Sequence, residues 1–168
     1  MIFRASADGA FHLGGRAARC ALGSAGVAPA REKREGDLKT PLGVWPVRRV
    51  LYRPDRQERP VTALPCAPIA RHDGWCDAPE DPNYNRPVAL PYPASAEALW
   101  RDDGIYDLVV VLGCNDDPVV AGAGSAIFLH LARPGYPPTQ GCVALGLEDL
   151  LELLRRAGPG SALEIAEN

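Results

Sequence analysis

His130 and Cys142 are the two side chains in this 168-residue chain whose types and spacing could do covalent chemistry. They close a segment that reads His130-Leu131-Ala132-Arg133-Pro134-Gly135-Tyr136-Pro137-Pro138-Thr139-Gln140-Gly141-Cys142. A thiol becomes a useful nucleophile near neutral pH only beside a base or a positive neighbour. Histidine is the usual base, and this one stands at the end of an apolar run. Gly141 beside the cysteine lets backbone approach a substrate closely and can turn amide N–H groups toward a developing oxyanion. A bland reading stands next to this one. A cysteine in a β domain is often a small buried hydrophobe, and a strand histidine is often only hydrogen-bonded. Spacing alone leaves both open.

The other reactive types organise less well. The five cysteines, Cys20, Cys66, Cys76, Cys114 and Cys142, are odd in number and contain no C-x-x-C pair, so no disulfide scaffold is announced. Cys20 and Cys114 adjoin apolar runs and read as core. Cys66, His72 and Cys76 could supply metal ligands, but their C-x5-H-x3-C spacing matches no common zinc pattern. No metal and no cofactor is expected. His12 lies in an early strand without an obvious partner.

A strand, a loop and a helix must position the pair. Ala126–Leu131 alternates, with Ile127, Leu129 and Leu131 on one face and Phe128 and His130 on the other. Ile105–Leu112 is a β-branched apolar run of the kind buried on both faces. Leucines 147, 150, 151 and 154 recur at helical spacing, with acids in the first turn and arginines in the last, so Leu147–Arg156 is a helix stopped by Gly158 and Pro159. Further strands are expected at Ile2–Ala5, Arg16–Leu22, Val44–Leu51 and Ala162–Ile165. Arg31–Lys39 reads as solvated loop. The proline-rich stretch from Pro54 to Pro93 reads as ordered loop with at most short edge strands.

Composition bounds the rest. Glycine and proline each number 17, which excludes a helical bundle and favours short strands with many turns. With 46% hydrophobic and 23% charged residues the chain is globular, one domain over residues 1–168. Eighteen basic against 21 acidic residues give a net charge of −3, so no nucleic-acid partner is indicated. No signal-peptide core is visible in the first thirty residues, and no run is apolar enough for a transmembrane segment.

Several blocks then carry a resemblance. Thr139-Gln140-Gly141-Cys142-Val143-Ala144-Leu145, with His130 upstream, resembles the active-site motif of the L,D-transpeptidases of the YkuD (ErfK/YbiS) family. Gly36-Asp37-Leu38-Lys39-Thr40-Pro41-Leu42-Gly43 is similar to that family's G-D-x-x-T-P-x-G block. Trp75-Cys76-Asp77, Tyr84-Asn85-Arg86 and Gly124-Ser125-Ala126-Ile127-Phe128 resemble the branch ending in T-x-G-C-V-A-L. The blocks run in the family's order over most of residues 35 to 145. Two positions depart from the commoner pattern: Leu131 follows His130 where glycine is usual, and Ala144 replaces an arginine or asparagine. The interval from histidine to cysteine is also shorter than in many members.

The resemblance implies a mainly β, sandwich-like catalytic domain with one or two peripheral helices. It also implies a cysteine acyltransferase that attacks peptidoglycan stem peptides, releases D-Ala and passes the acyl group to an amine or to water. Carried over by position, Cys142 is the nucleophile and His130 the base. The Thr139 carbonyl helps orient the histidine, and the Gly141 and Cys142 amides line the oxyanion hole. Trp75, Tyr84, Asn85 and Arg86 read equally well as loop packing or as the lining of a donor groove, and Arg133 as an ordinary exposed arginine or the partner of a stem carboxylate. Thr40 and Pro41 read equally well as a turn. Covalent inhibition by carbapenems and an envelope location follow from the same resemblance. The competing readings are a cell-wall-binding module with a dead site and a sortase-like transpeptidase acting on protein. The second would be expected to carry an arginine on the strand after Cys142, where none stands.

Overall fold

Turn chemistry cuts the chain into short strands. In order they are β1 (Ile2–Ser6), β2 (Ala10–His12), β3 (Ala17–Ala21), β4 (Val27–Pro29), β5 (Thr40–Tyr52), β6 (Cys66–Pro68) and β7 (Asp73–Cys76). Then follow β8 (Pro87–Ala89), β9 (Ala96–Ala98), β10 (Leu108–Leu112), β11 (Phe128–Leu131), β12 (Val143–Leu145), the helix α1 (Leu147–Arg156) and β13 (Ala162–Ala166). The computed structural model describes all 168 residues. It is mainly β, with a single α-helix.

Strand β5 is the organiser. Its residues Gly43–Pro46 pair with β13, and Val47–Tyr52 pair with β10 across a register shift at Val111 and Leu112. From β10 the pairing runs through β11, β12, β3, β2, β1 and β13 back to β5, so the main sheet closes on itself. Pairs β11–β12 and β1–β13 are parallel, and the other pairs of the circuit are antiparallel. Strands β4 and β6 lie parallel to β5 outside the ring.

All five residues of β10 are buried, as a β-branched run without polar alternation requires. Leu108, Val110 and Leu112 join the larger core with Leu129, Leu145 and helix residues Leu150, Leu153 and Leu154. Val109 and Val111 face the other way, into a second cluster with Trp75, Leu99, Tyr106 and Phe128. The alternation expected around His130 is realised: Ile127 and Leu129 enter the first core and Phe128 the second. The helix occupies its expected span, and Leu153, outside the four leucines of the periodic pattern, is also wholly buried. Arg16 clamps the helix from outside through Asp149 and Glu152, each at 2.6 Å.

Three expectations need correction. The proline-rich stretch contributes more than edges, because β7 is the middle strand of a second, three-stranded sheet, β8–β7–β9. Asp73–Cys76 carries no proline, so it can pair on both sides. The stretch Arg31–Lys39 is not uniformly solvated: Lys33 is buried, with Nζ 2.6 Å from Asp37. Thr40 and Pro41 begin β5 rather than forming a turn, and the bend lies before them, where Leu38 has φ 61°. Two strands are also shorter than their apolar runs. Asp107 N–H bonds Gly104 in a turn before β10, and Ala126 has φ 51°, so β11 starts only at Phe128.

Candidate active site

Parallel pairing of β11 with β12 aligns His130 with Ala144 and Leu129 with Val143. Strand periodicity then puts Phe128, His130, Cys142 and Ala144 on one face, with Cys142 beside Phe128. The Phe128 N–H lies 3.4 Å from Cys142 Sγ. Ala144 leaves room next to the imidazole, and the room becomes a cavity of about 200 Å³ lined by both His130 and Cys142. Its wall also carries Glu97, Arg101, Tyr106, Arg133, Thr139 and Gln140.

His130 is buried at 5% exposure, and its Nδ1 lies 2.9 Å from the Leu131 carbonyl. A carbonyl only accepts, so Nδ1 carries the proton and Nε2 keeps its lone pair. Burial pulls the imidazole down to about 4, outweighing the Leu131 bond, and the charges of Arg101 and Arg133 act in the same direction. The ring packs edge-on to Tyr106 at 5.4 Å. The Cys142 thiol is pushed up to about 12, chiefly by burial and further by the charge of Glu97. Its Sγ–H donates to the Ala126 carbonyl at 3.1 Å. The two groups therefore rest as a neutral thiol and a neutral imidazole on one cavity, not bonded to each other.

The loop that presents the thiol is locked by Thr139. Its Oγ1 donates to the Cys142 carbonyl at 2.7 Å and accepts the Gly141 N–H at 3.1 Å. Gly141 has φ 133°, and a Cβ there would stand 3.0 Å from the Lys39 carbonyl, so only glycine fits without displacement. Two contacts bear on the roles that the resemblance implies. The Thr139 carbonyl accepts from Ser24 N–H at 2.9 Å, and the carbonyl that meets the imidazole is that of Leu131. The Gly141 amide is occupied by Thr139, whereas the Cys142 amide has no protein acceptor.

The other candidates separate cleanly. Arg133 reaches the cavity rim and pairs with Asp103 at 2.8 Å. Trp75, Tyr84 and Asn85 are buried and line neither cavity that touches Cys142. Asn85 Oδ1 accepts from Trp75 Nε1 (2.9 Å) and Ala126 N–H (3.0 Å), while its Nδ2 donates to the carbonyls of Cys114 and Asn115. Asn85 thus holds Ala126, and Ala126 holds the thiol. The Tyr84 hydroxyl donates to Glu35 and accepts from Gly124 N–H, which fixes the Gly124–Ser125 segment. Arg86 is exposed and lies outside both cavities. No three His, Cys, Asp or Glu side chains converge as a metal site, and all five cysteines are free thiols.

Sequence reasoning passed over Glu97, Arg101 and Tyr106. Tyr106 Oη donates to Glu97 Oε1 at 2.7 Å, and Arg101 lies 3.6 Å from the same oxygen. The alanine-rich run around Glu97 offered no motif, and the position of Tyr106 just before β10 read as strand. A second cavity, of about 270 Å³, opens on the other side of the thiol between Glu35, Asp77, Glu97, Ser125 and Ile127.

A family model described as YkuD, the L,D-transpeptidase catalytic domain, matches residues 10–165. No curated protein and no solved structure matches the chain. The match spans the whole main sheet except the first strand and the last residue of β13. No helix is long and apolar enough to cross a membrane.

Proposed function

The chain belongs to the YkuD family of L,D-transpeptidase catalytic domains, and from that premise we propose that it transfers acyl groups of peptidoglycan stem peptides through a thioester on Cys142. The observation that supports this reading most directly is the shared cavity: a thiol and an imidazole with a free Nε2 lone pair on one wall, with an unbonded amide at the cysteine. Substrate entry turns Sγ away from Ala126 and toward His130, whose Nε2 takes the proton as sulfur attacks the carbonyl carbon. The Cys142 N–H donates to the oxyanion. His130 then gives the proton to the departing amine, and D-Ala leaves. A second amine or water attacks the thioester, giving a cross-link or a trimmed stem. Arg133 at the rim supplies positive charge for a stem carboxylate. Trp75, Tyr84 and Asn85 support the wall behind the thiol rather than the substrate.

A strained β-lactam tests the assignment. A carbapenem carbonyl offers the thiolate an activated electrophile whose leaving group stays tethered after ring opening. Intact-mass analysis is expected to show one adduct equal to the whole drug on the peptide holding Cys142, lost in Cys142→Ser and slow in His130→Ala. Incubation with tetrapeptide stems is expected to release D-Ala. No adduct and no D-Ala would leave a binding module, and adducts spread over several cysteines would report only accessible thiols.

A further inference from the structure

Charge divides the space around the thiol. The cavity on the His130 side carries Arg101 and Arg133, two guanidinium groups that share the single carboxylate of Asp103 at 2.7 and 2.8 Å. The cavity on the Ser125 side carries Glu35, Asp77 and Glu97, and its lysine, Lys33, is already neutralised by Asp37 at 2.6 Å. Cys142, Glu97, Tyr106 and Gln140 belong to both. Of these shared residues, only Glu97 is a carboxylate.

Its placement follows from the small sheet. Glu97 pairs with Trp75 across β7 and β9, so the two side chains share the face turned toward Phe128 and the thiol. Asp77 follows two residues after Trp75 and lines the same cavity. The Glu97 side chain is 26% exposed, and both of its polar contacts, Tyr106 and Arg101, fall on Oε1. Oε2 is left free. Asp77 Oδ1 is buried without any hydrogen-bond donor, an acceptor left open beside the cavity. Nothing in the acylation half of the reaction uses either carboxylate.

We propose that Glu97 is the catalytic base of the resolving half-reaction, taking the proton from an acceptor that enters the Ser125-side cavity as a primary ammonium. The inference rests on the transpeptidase reading given above. Glu35, Asp77 and Glu97 attract the cation, and the Glu97 carboxylate removes one proton to give the neutral amine. Nitrogen then forms its bond to the thioester carbonyl carbon, and the carbon–sulfur bond breaks. The second proton passes from nitrogen through His130 to the departing sulfur, restoring the thiol, and Glu97 returns its proton to water. The groups facing Glu97 are Tyr106, Arg101, Asp103, Asp77 and Cys142, and burial among them raises its carboxyl above the ordinary range, which strengthens it as a base. The same arrangement favours amines over neutral nucleophiles as acceptors.

The test compares the parent with Glu97→Gln, which keeps an oxygen for Tyr106. Each is first acylated with a tetrapeptide stem, which intact mass records, and then given glycinamide in water. The readout is the ratio of amide product to hydrolysed stem across pH. Near pH 7, where most of the probe is an ammonium, the variant's ratio is expected to fall about tenfold or more. Above about pH 9, where the amine arrives already neutral, the ratio is expected to return toward the parent value. A loss equal at all pH values, or no loss, overturns the proposal while leaving the acyl-enzyme reading intact. A variant that no longer acylates also overturns it, because Glu97 would then act before the acceptor arrives. Failure of the parent to acylate removes the transpeptidase reading and this proposal together.

Discussion

Cys142 aims its thiol proton at the carbonyl of Ala126, 3.1 Å away, and not at His130. Ala126 can offer that carbonyl because its backbone sits at φ 51°, a region that costs a residue with a Cβ about 1 kcal/mol or more. Asn85 holds the Ala126 N–H at 3.0 Å and is itself satisfied at both ends of its amide. The resting thiol is therefore held in its protonated form by a backbone strap anchored outside the cavity. In the proposed reaction, activation is a change of partner for one sulfur atom.

The first expected outcome concerns the pair itself. Cys142→Ala abolishes release of D-Ala from tetrapeptide stems, and His130→Ala costs about as much, because members of one activation unit are not additive. Cys66→Ser, half-buried on β6 and away from both cavities, keeps most of the turnover. Retained activity in Cys142→Ala would sink the assignment.

A thiol pushed up to about 12 predicts a particular alkylation profile for the free protein. The rate with iodoacetamide at Cys142 should rise about tenfold per pH unit and show no plateau below about pH 10. A plateau near neutral pH would instead mean a resting thiolate–imidazolium pair.

His130 makes stability depend on pH. Its folded value, about 4, lies below the unfolded value of 6.5, so between these two the unfolded chain binds more protons. Stability is then full above about pH 6.5 and declines as pH falls toward 4, by roughly 3 kcal/mol in all. Denaturant melts at stepped pH should show this slope, and His130→Gln should flatten it. An equal slope in both proteins would place the titration elsewhere.

Asn85→Ala strands the Trp75 indole N–H, the Ala126 N–H and the carbonyls of Cys114 and Asn115 inside the protein. The expected loss is about 2–4 kcal/mol in a denaturant melt. Cys142 alkylation at pH 8 should also quicken, since the strap on Ala126 is loosened. If alkylation stays unchanged, Ala126 is held by the chain around it rather than by Asn85.

Much of this site was legible in the sequence because short periods carry it. Alternation in Ile127–Leu131 placed His130 on the face opposite the leucines, and the leucine spacing fixed α1 to the residue. The T-x-G-C segment pointed to Cys142 through its residue types, and the structure brings that thiol onto one cavity with His130. What stayed hidden depended on partners distant in the chain. Trp75 and Asn85 carry the same letters whether they line a groove or brace a wall, and only the pairing of β7 with β8 and β9 decides between them. Lys33 looked solvated because its neighbours are polar, yet Asp37 four residues on lets it go inside. Glu97 carries no motif at all, and its position depends on Tyr106, nine residues later, folding back over it.

The closed circuit of the main sheet bears on how the chain acquires its shape. The ring is completed by β1 pairing with β13, strands at opposite ends of the sequence, and by β5, which must hold both β10 and β13. Contacts of such long separation form late and slowly, because the intervening chain must be ordered before they contribute. On a ribosome, β1 through β3 would emerge with β12 and β13 still unmade and their edges unpaired. The cysteine segment and the strand that seals the ring come from the same final stretch of sequence. A truncated or stalled chain therefore lacks both Cys142 and its closure, and exposes open strand edges prone to pairing with other chains.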